Sequence, residues 1–437
     1  MIHRFLIALV LFLIVLPHMA QAGSLRIIRD AEIERTLRTM SEQILHAAGQ
    51  NPEDVRLMLV DSTDINAFVA HGRIIHLNAG LILATKNPLE LAGVIAHETG
   101  HIGGGHLPLR HETHEKTAQR AMVSTVIGIL AAIGTGNPDL GAAITEIGAS
   151  TATGAYLLHS REQESFADRA AVSYLETAGL SPRGLVSFLG TLERESLLPQ
   201  TSQSVYLQTH PLTTERIEAL RRLAACSPTA NAPIPKGWTE DYLRMKAKLR
   251  GFLRPERVNA NYDPKDMSVS SRYARAIALF RLKDAPRAEE ELATLIAAEP
   301  DNPFFHELLG QLRFESGQGA SAMAPLARAV DLASNEPLIR VLYAHALIEH
   351  GDPDTAIDQL LRALADEQNM ASAHRLLARA YGLTGQPGAA RLHEAENAYL
   401  QGDRDGAASF ARRAKALLPK DSPAYTRAQD ILEVMSD

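Results

Sequence analysis

Small residues recur every 34 positions in the C-terminal part of the chain, and this period constrains the fold more than any other feature of the sequence. Three series share it, and their members are Gly317, Gly351 and Gly385; Ala288, Ala322, Ala356 and Ala390; and Gly310, Ala344 and Ala378. Because all three series repeat with the same 34-residue period, they predict a stack of helix pairs, with a turn glycine between the two helices of a pair.

A period of 34 residues is that of tetratricopeptide repeats. Gly402-Asp403 indicates a further turn only half a repeat after Gly385, which breaks the phase. We therefore expect about four helix pairs, of which the last is irregular, as capping repeats often are. Such stacks present a concave surface for peptides or protein partners, although a purely structural spacer has the same sequence pattern.

The first 22 residues have the layout of a secretory signal peptide. His3-Arg4 is a short positive region, Phe5 to Leu16 is apolar, and Ala20-Gln21-Ala22 is a cleavage site of the A-x-A type. The apolar run is too short for a comfortable membrane span. We therefore expect export and cleavage after Ala22.

Composition limits the function classes. With 437 residues, two or three domains are expected, and an aromatic content of only 5% with abundant Ala and Leu favours a mostly helical protein. A net charge of -7 without a basic stretch argues against a nucleic-acid partner. Cys226 is the only cysteine, which excludes an internal disulfide and a cysteine-rich zinc site, and we read it as a small buried residue.

Periodicity places the other elements of the N-terminal half. Helical spacing is found over Asp30 to Ala48, Ser160 to Ala178, Arg183 to Arg194 and Thr214 to Ala225, strand-like runs over Val55 to Val60 and Arg73 to Leu77, and a loop over Gln200 to Thr209. The apolar stretch from Ala121 to Leu158 reads as a helical pair. Three interpretations of this pair are open: it packs in the core, it covers the active site, or it makes a peripheral contact with a membrane.

One predicted helix carries His97-Glu98-Thr99-Gly100-His101. Asn87-Pro88-Leu89-Glu90 opens this helix with a capping residue, a proline in the first turn and a capping-box glutamate. Two histidines at i and i+4 lie on one helix face, where both imidazoles reach one zinc ion and the glutamate between them can take a proton from metal-bound water. The pattern predicts a catalytic zinc site with His97 and His101 as ligands and Glu98 as the base.

A catalytic zinc site of this kind needs a third protein ligand. The metzincin pattern requires a histidine at position 107, which is Leu107, so that pattern fails. Glu164 and Asp168 instead lie at i and i+4 on a later predicted helix. Glu164 can be the third ligand, and Asp168 can accept a hydrogen bond from a ligating histidine.

Together these residues resemble the M48 metallopeptidases, specifically the periplasmic members that carry tetratricopeptide repeats. In that family an HExxH helix supplies two ligands and an E-x-x-x-D helix the third, which match His97, His101, Glu164 and Asp168. His210-Pro211 followed by Arg216 is similar to the family's H-P-x-x-x-x-R segment, and Asn66-Ala67-Phe68 and Asn78-Ala79-Gly80-Leu81 also match family stretches. One departure is Gly105-His106, where many relatives have Arg-His.

The resemblance implies a mostly α fold, with a zincin-like metallopeptidase domain of helices and a small β-sheet followed by a C-terminal tetratricopeptide α-solenoid. We expect a signal peptide at 1–22, the peptidase domain at 23–226, a linker with a short helix at 227–268 and repeats at 269–437. The implied activity is that of a periplasmic zinc metalloendopeptidase with one Zn²⁺ per chain. Its implied partners are unfolded or misassembled outer-membrane proteins and, through the repeats, their assembly machinery.

Several alternatives stay open. His210 either donates a hydrogen bond to the developing oxyanion or caps the metal and holds the enzyme idle, and Arg216 either pairs with acids near the site or is a solvated helix residue. The strand near Ile74-Ile75-His76-Leu77 is expected to pair with an extended substrate. Two rival functions are a non-catalytic chaperone or scaffold with a silent or structural zinc site, and a membrane-embedded protease of the same family.

Overall fold

The computed structural model describes residues 25–70, 73–105, 161–195 and 204–436. The predicted signal peptide, the apolar stretch 121–158 and His106 lie outside these ranges. Within them the chain is mostly helical with one small sheet, and a helical repeat region follows an N-terminal domain, as the sequence predicts. In this described part, no helix combines the length and apolar character needed to cross a bilayer.

The sheet has four strands in the order β1-β2-β4-β3. Their bounds are Ile27–Ile28 for β1, Arg56–Val60 for β2, Ala67–Ala70 for β3 and Ile74–Asn78 for β4. β4 lies parallel to β2 and antiparallel to β3. The expectation that Ile74 to Leu77 offers a free edge is therefore wrong: Ile75 and Leu77 are fully buried in an interior strand, and β3 lies at the edge.

The described part of the N-terminal domain contains seven helices. They are α1 Ala31–Ala47, α2 Ala79–Ala84, α3 Pro88–Gly103, α4 161–177, α5 Arg183–Glu195, α6 Val205–Thr209 and α7 Thr214–Cys226, and a short 3-10 turn spans Pro52–Asp54. The expected loop at Gln200 to Thr209 is thus helical from Val205, because Tyr206 is anchored in the core and its N–H donates to the carbonyl of Ile65 at 3.0 Å.

Cys226 corrects a second expectation. Its side chain is exposed at the C-terminal end of α7. Helical spacing explains this, because Ile217, Leu220 and Ala224 form the buried face of α7 and position 226 falls off that face.

A helix joins the two halves of the chain. α8 spans Trp238–Leu253, and its residues Trp238, Tyr242, Met245 and Leu249 belong to the core of the N-terminal domain, whereas Ala247 belongs to the core of the first repeat. A 3-10 turn at Pro255–Arg257 and the short α9 Val258–Asn261 then lead into the repeats.

The repeat region consists of five helix pairs, one more than the period predicts. The helices are α10 Val269–Arg281, α11 Ala285–Ala298, α12 Pro303–Glu315, α13 Gly319–Leu332, α14 Pro337–His350, α15 Pro353–Asp366, α16 Ala371–Leu383, α17 Pro387–Leu400, α18 Arg404–Leu417 and α19 Pro423–Ser436. The turn glycines have the positive φ that the repeat requires, as at Gly351 with φ 90°. The recurring small residue in the first helix of each pair is explained by close packing against the second helix. A Cβ on Gly310, for example, would lie 2.4 Å from Leu326.

Buried ion pairs and a hydrogen bond connect the N-terminal domain to α8 and the repeats. Lys248 of α8 is 4% exposed, and its Nζ lies 2.9 Å from Asp30, which caps α1, and 3.5 Å from Glu32. The hydroxyl of Tyr273 in the first repeat donates to Glu32 at 2.8 Å. Burial alone would lower the pKa of Lys248, but Asp30 and the other acids around it raise that pKa well above its usual value.

Replacing Lys248 with Met should destabilise the protein by about 3–5 kcal/mol, because Asp30 would lose its ion pair with Lys248 and Glu32 would keep only the ion pair with Arg244. Denaturant unfolding followed by the fluorescence of Trp238, the only tryptophan and a residue of the same helix, measures this. Arg26→Ala is the matched control: Arg26 is 83% exposed in its ion pair with Asp61, so its loss should cost less than about 1 kcal/mol. Equal midpoints for the two variants would contradict the assignment.

Candidate metal centre

The helix that bears the histidine motif is fixed at its start by local hydrogen bonds. The side chain of Asn87 accepts from the N–H of Glu90 at 3.1 Å. The carboxylate of Glu90 accepts from the N–H of Lys86 at 2.8 Å, one residue before the partner a capping box would use, and from the hydroxyl of Ser187 at 2.6 Å. α3 is therefore tied to α5 before it enters the core.

A glycine inside the motif lets a second helix approach. A Cβ on Gly100 would lie 2.8 Å from the carbonyl oxygen of Ala167 and 2.9 Å from its Cα. Ala167 belongs to α4, between Glu164 and Asp168. The close crossing of α3 and α4 at Gly100 thus brings the two carboxylates to the two histidines.

Four side chains present donor atoms to one buried point. Nε2 of His97 lies 3.2 Å from Nε2 of His101, and both nitrogens lie 3.3 Å from an oxygen of Glu164. Nδ1 of His210 lies 3.0 Å from Glu164 and 3.4 Å from Nε2 of His97. All four residues are buried, and their donor atoms lie within 4.8 Å of one another.

Most of these spacings are close to those around a tetrahedral metal ion. With metal–ligand bonds of about 2.0–2.2 Å, neighbouring donors of a tetrahedron lie about 3.3–3.6 Å apart. Two imidazoles, a carboxylate and a further imidazole are ligands that zinc accepts. The residues that are present therefore fit zinc in number and kind, and the separations among His97, His101 and Glu164, at 3.2–3.3 Å, fit it in spacing.

Asp168 and Arg216 support the donors from behind. Asp168 Oδ1 lies 3.0 Å from Nδ1 of His97, the ring nitrogen that faces away from the other donors. Arg216 donates to both oxygens of Asp168, at 2.6 and 2.9 Å, and its Nη1 lies 2.8 Å from Glu164. Arg216 is thus buried between two acids, and the alternative of a solvated helix residue does not apply.

The charges of this cluster shift its ionisation. Burial alone would raise the pKa of Asp168, but Arg216 and His97 hold it at about 2, and His210 and Arg216 likewise hold the pKa of Glu164 well below its usual value. Burial alone would lower the pKa of His97, yet Asp168 and Glu164 raise it to about 9. Burial is the main cause that lowers the pKa of His101 to about 3.

Glu98 faces the donors with an unused carboxylate. It is fully buried, and neither of its oxygens has a hydrogen-bond partner among the described residues. The nearest cation-forming group is Nε2 of His210, 3.6 Å from Oε1. A buried carboxylate with free lone pairs is suited to accept a proton.

Contacts with the sheet edge hold His210 in place. Its Nε2 lies 3.3 Å from the carbonyl oxygen of Ala67 in β3, and its Nδ1 faces Glu164 and the other donors. The hydroxyl of Thr209 donates to the side chain of Asn66 at 3.3 Å. Together with the bond from Tyr206 to Ile65, these contacts dock the segment 204–210 against the beginning of the edge strand.

Tyr206 is a site residue that sequence reasoning missed. It is 1% exposed, and its ring stacks on the His210 imidazole with centroids 4.5 Å apart. Burial and then the carboxylate of Glu98 raise the pKa of its phenol well above the usual value. The sequence signal that could have identified Tyr206 is its spacing of four residues from His210, which places the two side chains on the same side of a helical turn.

Comparison with known proteins agrees with the geometry. Residues 28–224 match the sequence profile of peptidase family M48, and residues 273–337 and 313–380 match profiles of tetratricopeptide repeats. The N-terminal half of this protein is an M48 peptidase domain, and tetratricopeptide repeats follow it.

The similarity to curated relatives extends over most of the chain. A beta-barrel assembly-enhancing protease of Escherichia coli (strain K12) is 26% identical over 407 residues, which cover 90% of this chain and 81% of the relative. The protease of the same name from Yersinia pestis is 26% identical over 391 residues, which cover 87% of this chain and 78% of the relative. Among solved structures, YrrB, described as a TPR protein with an unusual peptide-binding site, aligns with 40% of this chain and 91% of its own, at 20% identity and a TM-score of 0.33.

Replacing Gly100 with Ala should lower zinc affinity by about ten- to a hundred-fold, because the new methyl group pushes α4, and with it Glu164, away from the histidines. Competition with a chelating dye measures the affinity. Gly190→Ala is the control, since a Cβ at this helical position meets nothing within 4 Å. Unchanged zinc affinity in Gly100→Ala would show that the close crossing does not set the site.

The raised pKa of His97 predicts an unusual pH dependence of zinc binding. Zinc needs the neutral imidazole, and in the metal-free protein His97 carries a proton below a pKa of about 9. The apparent zinc affinity should therefore rise about tenfold per pH unit from pH 7 to 8.5, whereas histidines with ordinary pKa values would give a plateau there. Calorimetry in buffers of different ionisation enthalpy should detect the proton that His97 releases when zinc binds at pH 7. A flat profile would refute the prediction.

Proposed function

We propose that this protein is a periplasmic zinc metalloendopeptidase that hydrolyses peptide bonds in misfolded or misassembled outer-membrane proteins. The observation that carries this proposal is the set of four buried donors that could hold one metal ion, beside which the carboxylate of Glu98 accepts no hydrogen bond from the described residues. A purely structural zinc site needs no such base, which disfavours a scaffold with a silent site.

In this proposal His97, His101 and Glu164 hold one zinc ion per chain. Zinc bound there would polarise a carbonyl group and lower the pKa of a bound water toward about 7. Asp168 orients His97 through Nδ1, and Arg216 fixes Asp168 and Glu164 by three short contacts. Arg216 is therefore a positioning residue that also neutralises excess negative charge.

Glu98 takes the proton that the attacking water loses and delivers it to the amine nitrogen that leaves. Its burial and its free lone pairs suit both steps. The water oxygen joins the carbonyl carbon, the C–N bond breaks, and the products are a carboxylate and an amine. The protein returns to its starting state after each cycle.

His210 acts as a latch on the site in the conformation described. Its Nδ1 occupies the fourth donor position, where a substrate or a water must bind for catalysis. The segment that carries it is held by hydrogen bonds to Ile65, Asn66 and Ala67, each worth about 0.5–1.5 kcal/mol. A latch of this strength can be displaced by a ligand that makes equivalent bonds.

The edge strand β3 is the surface that receives the substrate. β3 pairs with β4 on one side, and its carbonyl at Ala67 accepts from the latch residue. An extended peptide that pairs with this edge would replace the contact of His210 and lie beside Glu98. Pairing with an edge strand uses backbone hydrogen bonds and depends little on the side chains of the peptide. It therefore suits substrates that are recognised because they are unfolded.

The repeat domain supplies a protein-binding surface in this proposal. Its five helix pairs form the kind of stack that binds peptides or proteins. The relatives' name, beta-barrel assembly-enhancing protease, supports outer-membrane proteins and their assembly machinery as partners and suggests a second role as an assembly chaperone. Export by the segment 1–22 is consistent with such partners.

Replacing Glu98 with Gln should keep bound zinc but reduce casein cleavage by at least about 10²-fold, because the variant cannot accept the proton. Zinc content by atomic absorption and fragment release on gels measure the two quantities in one preparation. Cleavage by Glu98→Gln at the wild-type rate would refute the proposed function.

Replacing His210 with Ala should increase the rate of casein cleavage, because it opens the fourth donor position. His46→Ala, at a half-exposed site on α1, is the matched histidine control and should leave the rate unchanged. Slower cleavage by His210→Ala at full zinc content would contradict the latch and assign His210 to transition-state stabilisation instead.

A further inference from the structure

The phenol of Tyr206 is a buried hydrogen-bond donor without a partner. Its side chain is 1% exposed, and no described residue accepts from or donates to its hydroxyl oxygen. Leaving a buried hydroxyl unpaired costs about 1–3 kcal/mol, and replacing it with a hydrogen atom would remove that cost. Such a group in a well-packed core indicates that its partner arrives with a ligand.

The position of Tyr206 identifies the ligand's site. The ring stacks on His210 at 4.5 Å with 25° between the planes, and packs edge-on against Phe188 at 5.7 Å. Glu98 lies against the same imidazole, with its Oε1 3.6 Å from Nε2 of His210. His210 therefore contacts both the ring of Tyr206 and the carboxylate of Glu98, and neither the Tyr206 hydroxyl nor that carboxylate has a hydrogen-bond partner among the described residues.

A peptide bond under attack by water needs this pair of groups. The water must lose a proton to an acceptor, and the carbonyl oxygen gains negative charge that a donor stabilises. Displacement of His210 would remove the side chain that contacts both the Tyr206 ring and the Glu98 carboxylate. The backbone bond from Tyr206 to Ile65 keeps the tyrosine at the sheet edge where a peptide would pair.

We propose that Tyr206 is a catalytic residue that donates a hydrogen bond to the carbonyl oxygen of the scissile peptide bond as that oxygen becomes an oxyanion. Tyr206 keeps its proton throughout, so the bond strengthens in the transition state without a net transfer. This assignment rests on the proposed peptidase function and adds one donor to it. His210 covers the donor in the latched conformation.

The test is Tyr206→Phe, which keeps the stacked ring and removes only the hydroxyl. A peptide from a mapped casein cleavage site serves as substrate, and its phosphinic analogue serves as a mimic of the tetrahedral state. We expect kcat to fall by about 10²–10³-fold with KM unchanged, and affinity for the phosphinic analogue to fall by a similar factor. Zinc content should be unchanged, and the melting temperature of the metal-free protein should be unchanged or higher.

Tyr242→Phe is the matched control. Tyr242 is an equally buried tyrosine whose hydroxyl donates to the carbonyl of Thr85 at 2.6 Å. Because that hydrogen bond is structural, Tyr242→Phe should lower the melting temperature and leave kcat unchanged. The two phenylalanine variants should therefore show opposite patterns.

Making Tyr206→Phe in the His210→Ala variant separates a catalytic role of Tyr206 from an effect on the latch. If Tyr206→Phe lowers kcat by the same factor in the His210→Ala variant as in the wild type, the proposal is supported. If it lowers kcat only when His210 is present, the proposal is overturned, and Tyr206 instead positions His210. A kcat within twofold of wild type, or a loss of zinc with the hydroxyl, also overturns it. If Glu98→Gln is inactive and Tyr206→Phe is not, only this assignment fails; if Glu98→Gln cleaves normally, the proposed function fails and takes the assignment with it.

Discussion

The buried ion cluster of Arg216 is the interaction on which the candidate site depends. Glu164 and Asp168 are almost fully buried acids one helical turn apart, and two unpaired carboxylates in a core would cost several kcal/mol. A single guanidinium contacts both acids with the planar geometry that carboxylates favour. Without it, burial would favour protonated acids that cannot serve as a ligand or orient a histidine.

The same principle operates a second time where the peptidase domain meets the repeats. Lys248 pairs with Asp30 and Glu32 at the start of α1, Arg244 also pairs with Glu32, and Tyr273 of the first repeat donates a hydrogen bond to Glu32. Apolar contacts continue this junction, since Ala31 packs in one cluster with Phe304 and Ile339 of the second and third repeats. The orientation of the repeats on the peptidase domain is therefore specified by directional contacts as well as by apolar burial.

Sequence reasoning succeeded where the signal is local or periodic. A repeat of 34 residues needs the same turn at each step, so glycines with positive φ mark it, and two histidines at i and i+4 must share a helix face. The number of helix pairs was underestimated because the phase is lost at Gly402, although helices continue to Ser436. Capping repeats pack on one side only, which relaxes the constraint on small residues.

Features that depend on contacts between distant segments could not be predicted. The interior place of β4 could not be predicted, because its parallel pairing with β2 joins segments that are distant in sequence. Gly100 occupies an unspecified position of the motif, and its role appears only when Ala167 lies against it. Likewise, nothing local to Tyr206 shows that its hydroxyl is left without a partner.

In the proposed function, the short segment 204–210 would join regulation and chemistry in one element. It carries His210 in the fourth donor position and Tyr206 beneath it, and it is held by three hydrogen bonds to the start of the edge strand. A peptide that pairs with β3 competes for the contact at Ala67, so substrate binding and release of His210 draw on the same bonds. Since these bonds together contribute only about 2–4 kcal/mol, the backbone hydrogen bonds of an extended peptide at this edge could offset them, whereas a folded segment that makes no such bonds could not. In the proposed function, the latch would therefore select for extended chains.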